Sequence, residues 1–329
     1  MAIVVNNRIP WVEKFRPKKL CDVISNEGIM NTFTGYVKNK FIPHLIFHGP
    51  PGTGKTSTIT ALAKELYGNN YDFMVLEINA SEERGIEVVR NKIKQFVLAK
   101  SIFHQSTVGL FKLVILDEAD SMTTDAQSML KRVIEYYTEN ARFCLICNKI
   151  KNIDVAIQSR CTIFRFSQLK TQDIEKRLKT IAKTTNLTLK QSGIDAIIKI
   201  ANGDMRKVLN TLQSTHMAYD VIDYDSVTKC AGYPTKKDID TIYNSLMNDN
   251  FKNAYDVMHK IKTQHGYSLL EILYELHEYV VKDYIAKKIV DKTAINILSM
   301  LKDVEIILIS DPNDNIQMSG IVSIFCLHR

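Results

Sequence analysis

The chain has 329 residues, of which 45% are hydrophobic and 24% are charged, and its 43 Lys and Arg against 36 Asp and Glu give a net charge of +7. This length exceeds what one compact core usually accommodates, so we expect two or three domains. Glycine and proline are too scarce for a fibrous or linker-dominated chain. Residues 1–168 carry 22 of the basic and 16 of the acidic side chains, and this excess hints at a polyanionic partner.

No apolar run in the sequence approaches the roughly 18–20 residues that cross a bilayer. The first residues, MAIVVN, lack both the basic region and the apolar stretch of a signal peptide. We therefore expect a protein inside the cell, with no membrane partner, whose six cysteines are reduced thiols.

Cys144 and Cys147 form a C-x-x-C, the spacing of many metal and redox sites. They lie in an apolar run typical of a buried strand, where residues three apart face opposite sides of a sheet. No second pair in the sequence completes a zinc set, so we predict core positions for both thiols.

The first half alternates short β-rich apolar runs with helical patterns such as Thr56–Tyr67 and Ile86–Ala99. This alternation predicts a parallel sheet with helices on both faces. The nearly continuous hydrophobicity of runs such as Leu113–Leu116 fits strands buried on both sides. The predicted strands are His44–His48, Phe73–Asn79, Leu113–Leu116, Arg142–Asn148 and Thr162–Phe166.

After about residue 168 the strand patterns stop and helical spacing takes over. The sequence has no fixed-period repeat. We predict three domains, an α/β domain over residues 1–167, a small helical domain over 168–231 and a second helical domain over 232–329. The predicted helices include Thr171–Thr184, Lys190–Ala201, Met205–Ala218, Leu269–Val290 and Ala294–Ile309.

Directly after the first predicted strand, Gly49–Thr56 reads GPPGTGKT and satisfies the pattern G-x-x-x-x-G-K-[ST]. Its glycines let backbone N–H groups face a phosphate chain, Lys55 supplies a cation for the β- and γ-phosphates, and the Thr56 hydroxyl can bind Mg²⁺. The pattern therefore predicts a nucleoside triphosphate site. The loop residues predicted to hold the nucleotide are Gly52, Thr53, Gly54, Lys55, Thr56 and Ser57.

A later strand, Leu113–Leu116, runs into the acidic sequence DEAD at Asp117–Asp120. Asp117 at the strand end is placed to hold Mg²⁺ through water, and Glu118 to polarise an attacking water. An acidic strand end that only solvates a loop is the alternative. The complete phosphate loop favours a site that binds Mg²⁺ and hydrolyses a nucleoside triphosphate.

These segments resemble an AAA+ ATPase, and four more resemble the small subunits of replication factor C, the sliding-clamp loader. The four occur in the family's order and spacing, and the resemblance covers about residues 9–325. The sequences of Arg142–Cys144 and Val88–Asn91 are most similar to those of fungal subunit 3, called subunit 5 in animals. The four segments are Pro10–Pro17, Asn79–Gly85, Ser159–Cys161 and Gly203–Lys207.

The resemblance implies an AAA+ α/β domain, a helical lid and a C-terminal helical collar that joins subunits. It implies a nuclear protein that binds and hydrolyses ATP with Mg²⁺ inside a hetero-oligomeric ring. The implied partners are the other replication factor C subunits, the sliding clamp and primer–template double-stranded DNA. The implied task is to open the clamp and load it on that DNA.

The resemblance also assigns roles that the bare residues only permit. Asn148 matches sensor 1, which contacts the γ-phosphate or the attacking water, whereas the pattern by itself favours a turn former. Arg206 matches the sensor 2 arginine of the lid, and by itself would be a solvated arginine at a helix start. Val12, Arg16 and Ile24 match positions on the adenine side, in an N-terminal segment without regular secondary structure. Ile24 replaces the Tyr of fungal relatives.

Arg160, in the Ser-Arg-Cys segment, matches an arginine finger that projects into the neighbouring subunit's ATP site. Such a residue neutralises charge on the γ-phosphate in trans. Its presence implies an interior member of a ring. A structural surface arginine is the alternative.

Basic residues cluster over 84–100, where the family's helix follows the DNA backbone. Arg90 and Lys94 are four apart and share a helix face, and Arg84 precedes them. Phosphate contacts need charge and position rather than base edges, which suits a loader. A solvated helix face is the alternative. Ile102 and Phe103 lie where the family touches the clamp, or else are partly buried in their own domain.

Three other functions stay open from the sequence. The chain could serve checkpoint or cohesion loaders that share the small subunits. It could be a structural subunit that binds nucleotide with little turnover, although Glu118 argues against this. A more distant alternative is another AAA+ machine, such as a Holliday-junction motor.

Overall fold

The computed structural model describes the greater part of the chain, in five stretches, without the side chains of residues 27 and 86–90. The stretches are 9–24, 27–82, 86–99, 111–310 and 313–329. Cα packing divides the chain into two compact units. The first unit is Met1–Asn186 with Ile197–Gln213, and the second is Leu187–Ala196 with Ser214–Arg329.

A parallel sheet is the centre of the first unit. Its strands are β1 (Leu45–His48), β2 (Val75–Asn79), β3 (Lys112–Asp117), β4 (Ala141–Cys147) and β5 (Thr162–Arg165). They lie in the order β2-β3-β4-β1-β5, and Cys144 of β4 aligns with Leu45 on one side and Ile115 on the other. Because all five are parallel, the segments that follow β1, β3 and β4 emerge at the same edge. The predicted parallel sheet is confirmed.

Helices cover both faces of the sheet. Phe33 of α2 and Leu62 of α3 pack on one face, and Ile93 of α5 and Leu130 of α6 on the other. The helices of this unit are α1 (Trp11–Lys14), α2 (Glu27–Asn39), α3 (Lys55–Tyr67), α4 (Tyr71–Met74), α5 (Ile86–Leu98), α6 (Thr124–Tyr137), α7 (Val155–Gln158) and α8 (Thr171–Thr185).

The C-x-x-C cysteines occupy the two sides of β4, as predicted. Cys144 is fully buried with Phe47 on one face, and Cys147 is buried with Leu145 on the other. Burial raises the pKa of Cys144 well above its usual range and that of Cys147 to about 12. Both residues are therefore inert core thiols.

Two helices begin in one unit and end in the other, and the remainder of the second unit is largely helical. Its core is one cluster that runs from Ile239 to Phe325. Buried Glu275, 4% exposed, accepts a 2.7 Å hydrogen bond from the Tyr233 hydroxyl. The helices are α9 (Gln191–Ala201) and α10 (Met205–Ala218), which span the division, and α11 (Tyr224–Ala231), α12 (Lys236–Asn248), α13 (Phe251–His265), α14 (Leu269–Ile285), α15 (Asp291–Ser310) and α16 (Asp314–His328).

The structure corrects three details of the sequence analysis. The N-terminal segment is not irregular, because Trp11–Lys14 forms α1 and Leu20–Asp22 a 3₁₀ turn. Strands do not stop at residue 168, because Thr188–Leu189 (β6) and Val221–Ile222 (β7) form a parallel pair in the second unit. Two-residue strands are too short to show a period of two in the sequence. The helix predicted to reach Val290 ends at Ile285, before a left-handed Lys287.

Within the described residues, the helices are all too short or too polar to cross a membrane. The three predicted domains, with boundaries after residues 167 and 231, stay a prediction.

Candidate nucleotide site

The phosphate loop connects β1 to α3 at the carboxyl edge of the sheet. Gly49 has φ 146°, and a Cβ there would lie 2.0 Å from the carbonyl oxygen of Phe166, which follows β5, so only glycine fits at this position of the loop. Beyond the loop, the 13-residue helix α3 presents its N-terminus to the same edge. A helix N-terminus favours negative charge, so this position suits phosphate groups.

Lys55 is the first residue of α3 and is buried, with 7% of its surface exposed. Its ammonium donates 2.8 Å hydrogen bonds to the carbonyls of Gly49 and Pro50 and a 3.0 Å bond to Asn148 Oδ1. Burial lowers the pKa of Lys55, and the nearby Asp117 carboxylate opposes that shift. The loop, the predicted lysine and the predicted sensor asparagine are thus in direct contact.

The two residues predicted to hold Mg²⁺ also meet. The Thr56 hydroxyl donates a 2.8 Å hydrogen bond to Asp117 Oδ2. A hydroxyl and a carboxylate oxygen this close suit Mg²⁺, which prefers oxygen ligands and keeps several waters. No cluster of three or more His, Cys, Asp or Glu suitable for a metal occurs within the described ranges. The pair therefore fits a cation that takes most of its ligands from phosphates and water.

Glu118 follows β3 in a left-handed conformation, with φ 54° and ψ 37°. A residue other than glycine rarely adopts this conformation, and such residues concentrate at functional sites. The Asp117 carboxylate accepts a 2.8 Å hydrogen bond from the Glu118 N–H, which supports the turn. The turn leaves the Glu118 side chain exposed at the edge of the cavity that it lines.

One cavity of the first unit brings together every residue predicted to act on nucleotide within this chain. It lies at the carboxyl edge of the sheet, where ligands of open parallel sheets bind. The individual roles of these residues stay predictions. The predicted residues that line it are Val12, Arg16, Ile24, Gly52, Thr53, Gly54, Lys55, Thr56, Ser57, Asp117, Glu118, Asn148 and Arg206.

The last acidic residue of the DEAD sequence has a role that sequence reasoning missed. Asp120 Oδ2 accepts hydrogen bonds from the backbone N–H of Asn148, at 3.1 Å, and of Lys149, at 3.0 Å. Asp120 thereby ties the turn after β3 to the turn after β4 and fixes the backbone of Asn148. The acidic run was visible in the sequence, but a contact across 28 residues was not.

The start of α10 contacts the phosphate loop. Asp204 Oδ1 accepts the N–H of Arg206 at 2.8 Å, and the Met205 N–H donates to the Gly52 carbonyl at 3.1 Å. Met205 and Leu209 add apolar surface to the cavity wall beside Arg206. Of the residues in this helix, the sequence predicts a nucleotide contact for the arginine alone.

Two long-range hydrogen bonds hold the N-terminal segment against α8 and α10, beside the same cavity. Arg177 of α8 donates to the Phe15 carbonyl at 2.9 Å, and the Trp11 N–H donates to Gln213 Oε1 at 2.9 Å. Arg177 also lines the cavity. No motif in the sequence pointed to Arg177, because its partner is a backbone carbonyl 162 residues away.

The remaining predicted residues lie apart from the cavity or outside the described chain. Arg160 follows α7 and forms a 2.5 Å ion pair with Glu135, so it does not line its own chain's cavity. Lys94 is exposed on α5. Arg90 belongs to the same helix, but its side chain is outside the described part. Arg84, Ile102 and Phe103 also lie outside the described residues.

Solved structures of other proteins share this fold. The Thermotoga maritima RuvB Holliday junction branch migration motor has a TM-score of 0.53 and 14% identity, over 78% of this chain and 88% of that one. Its K64R mutant gives 0.54 and 14%, over 80% and 91%. At this identity the likeness shows a shared fold alone.

Three family models match successive parts of the chain. Residues 45–169 match the ATPase family associated with various cellular activities (AAA). Residues 171–229 match the RFC1-like AAA+ ATPase lid domain, and residues 234–323 match the replication factor C C-terminal domain.

Similar proteins of known name cover almost all of the sequence. Probable replication factor C subunit 5 of Dictyostelium discoideum is 45% identical over 98% of this chain and 91% of its own length. Human replication factor C subunit 5 is 42% identical, over 98% and 92%. Replication factor C subunit 3 of Saccharomyces cerevisiae is 41% identical, over 95% and 92%. The chain therefore belongs to the replication factor C subunit family, within the AAA+ ATPases.

Proposed function

We propose that this protein is a subunit of a sliding-clamp loader. It binds and hydrolyses ATP inside a hetero-oligomeric ring that opens the clamp and loads it on primer–template DNA in the nucleus. The observation that carries the proposal is the cavity in which Lys55, Thr56, Asp117, Glu118 and Asn148 meet, in a chain whose relatives are replication factor C subunits.

The chain's own residues would divide the chemistry among themselves. Lys55 and the loop N–H groups hold the β- and γ-phosphates, and Thr56 and Asp117 hold Mg²⁺. Bound Mg²⁺ would supply positive charge against the phosphate oxygens.

The remaining residues would act on the water and on the other parts of the nucleotide. Glu118 accepts a proton from the attacking water, and Asn148 orients that water or the γ-phosphate. Val12, Arg16 and Ile24 contact the adenine side, and Arg206 supplies charge near the phosphates.

Hydrolysis at this site would need a second subunit. Arg160 lies outside its own cavity, on the surface of the first unit, so it is available to complete a neighbour's site. By the same logic a neighbour's arginine completes this one. An arginine supplied in trans is worth on the order of 10³–10⁵ in rate. The isolated subunit should therefore bind ATP and hydrolyse it weakly.

The DNA surface would include Arg84, Arg90 and Lys94 around α5. Of the three, Lys94 has a described side chain, and it is exposed. Contacts of lysine and arginine with phosphate carry no sequence preference, as loading at any primer–template junction requires. Such binding should weaken steeply with added salt.

Reconstitution of the loader with Arg160→Ala tests the proposal. Hydrolysis at the neighbouring site should fall on the order of 10³-fold, and clamp loading should fall with it. Arg132→Ala is a matched control, since it removes the same charge from the exposed surface of α6. If DNA-stimulated ATPase and clamp loading are both undiminished by Arg160→Ala, the trans role is wrong.

A further inference from the structure

The guanidinium of Arg160 is bound along its own chain. One terminal nitrogen forms an ion pair with Glu135 Oε1 at 2.5 Å, and the other donates to the Ala156 carbonyl at 2.6 Å. The two charged side chains are 37% and 44% exposed. Glu135 lies in the last turn of α6, and Ala156 lies in α7. Arg160 is thus held between two helices rather than extended from the surface.

This geometry conflicts with the task proposed for Arg160. An arginine finger acts by placing an uncompensated positive charge against the γ-phosphate. A carboxylate at 2.5 Å cancels most of that charge, because the pair is neutral as a whole. To act on a neighbour's nucleotide, Arg160 must exchange Glu135 for phosphate oxygen.

We propose that Glu135 is a positioning residue that restrains Arg160, so that the γ-phosphate of a neighbouring site competes with Glu135 for the guanidinium. This inference rests on the proposed function. Release of Arg160 therefore depends on the adjacent subunit. The arginine leaves Glu135 when a nucleoside triphosphate bound to that subunit comes close enough for its γ-phosphate to replace the carboxylate. Without that phosphate, the arginine stays paired on its own surface.

The size of the restraint follows from the exposure of the pair. Partly exposed ion pairs are weak, so breaking this one should raise the population of free arginine about two- to fivefold. Both partners are accessible to solvent ions, and added salt should therefore reduce the effect.

The test compares Glu135→Gln with wild type in the reconstituted loader, with ATP hydrolysis measured across ATP concentrations. Glu135→Gln removes the negative charge at nearly constant shape. We expect kcat/KM at the neighbouring site to rise about two- to fivefold and the gain to shrink at high salt. Glu139→Gln removes the same charge two residues beyond the end of α6, and should change neither value.

The double variant Glu135→Gln with Arg160→Ala decides whether the effect acts through the arginine. It should match Arg160→Ala alone. An unchanged or lower kcat/KM in Glu135→Gln would overturn the restraint, and so would a gain that persists without Arg160. If Arg160→Ala has no effect in otherwise wild-type loader, the proposed trans function fails first, so the two failures are distinguishable.

Discussion

Asn148 forms hydrogen bonds with two charged side chains, Lys55 after β1 and Asp120 after β3. Its side-chain oxygen accepts from the Lys55 ammonium at 3.0 Å, and its backbone N–H is held by Asp120 at 3.1 Å. The position of this amide relative to the phosphate loop therefore depends on a carboxylate that does not itself line the cavity. Asp120 acts on the site through the backbone of Asn148.

Asp120→Ala removes both backbone hydrogen bonds, and the loss of the one that positions Asn148 should lower ATP hydrolysis by this site about tenfold. The phosphate loop stays intact, so ATP affinity should change much less. Single-turnover hydrolysis and nucleotide binding, measured in the assembled loader, separate the two effects. Asp125→Ala, an exposed acid in the first turn of α6, is the control. Unchanged hydrolysis in Asp120→Ala would remove the positioning role.

Sequence reasoning found the residues of the site whose type and order form a motif. Lys55, Thr56, Asp117 and Glu118 come from two short patterns, and the structure places them in one cavity. Asp120 and Arg177 escaped because their contacts are with backbone groups 28 and 162 residues away. The local sequence around either residue does not indicate a contact with a backbone group so far along the chain.

At the scale of elements, the N-terminus of α10 sits directly on the phosphate loop. Gly52 has φ 68°, and a Cβ there would lie 1.7 Å from Asp204 Oδ1. The same carboxylate accepts the N–H of Arg206 at the start of the helix. The loop and the helix that carries Arg206 can therefore meet only because residue 52 has no side chain.

Gly52→Ala should displace Asp204 and weaken ATP binding by about tenfold, with a loss of about 1–3 kcal/mol in the free energy of unfolding from backbone strain and collision. Binding of a fluorescent ATP analogue and urea unfolding measure the two. Gly68→Ala is the matched control, because Gly68 also has a positive φ of 53° but open space around an added Cβ. Equal loss of ATP affinity in both variants would contradict the contact argument.

His44 links the start of β1 to β4. The Phe143 N–H donates to its Nδ1 at 3.2 Å, so the neutral ring is the form that fits. The residue is 8% exposed, and burial, reinforced by the charge of Arg142, lowers the pKa of His44 to about 4. An unfolded histidine titrates near 6.5. The stability that this difference provides is complete above about pH 6.5 and is lost as the pH falls toward 4.

Wild type should therefore lose about 2–3 kcal/mol of unfolding free energy through His44 between pH 6.5 and 4. His44→Asn, which keeps an acceptor but cannot be protonated in this range, should show a smaller loss. Fluorescence of the single, buried Trp11 follows unfolding of the same unit. His277→Asn, at an exposed histidine, should behave as wild type. If the unfolding free energies of wild type and both variants fall in parallel with pH, His44 is not the source of the loss.

The fold was predictable wherever an element was long enough to show its period. Helix α10 begins and ends where its pattern does, at Met205 and Ala218, and the five strands of the large sheet follow their predicted runs within two residues. The pair Thr188–Leu189 and Val221–Ile222 was not predictable, since two residues carry no periodicity. The left-handed turn at Lys287 also has no signal, because lysine rarely adopts it.

At the scale of the whole molecule, the proposed function gives this chain the residues that bind nucleotide and leaves hydrolysis to be completed by a neighbouring subunit. The arginine that would complete a site, Arg160, lies outside this chain's own cavity. Under the proposed function, the neighbouring subunits set the activity of this one. The proposed role of Glu118 would separate this loader subunit from a structural subunit that only binds nucleotide, because the latter has no use for a base that activates water.

The most direct measurement is single-turnover ATP hydrolysis by a reconstituted loader in which only this subunit has an intact phosphate-loop lysine. The account predicts DNA-stimulated hydrolysis at this site, abolished by Glu118→Gln with nucleotide still bound, and weak hydrolysis by the isolated subunit. If the assembled loader binds ATP here and does not hydrolyse it, or if the isolated subunit turns over as fast as the complex, the central claim is contradicted.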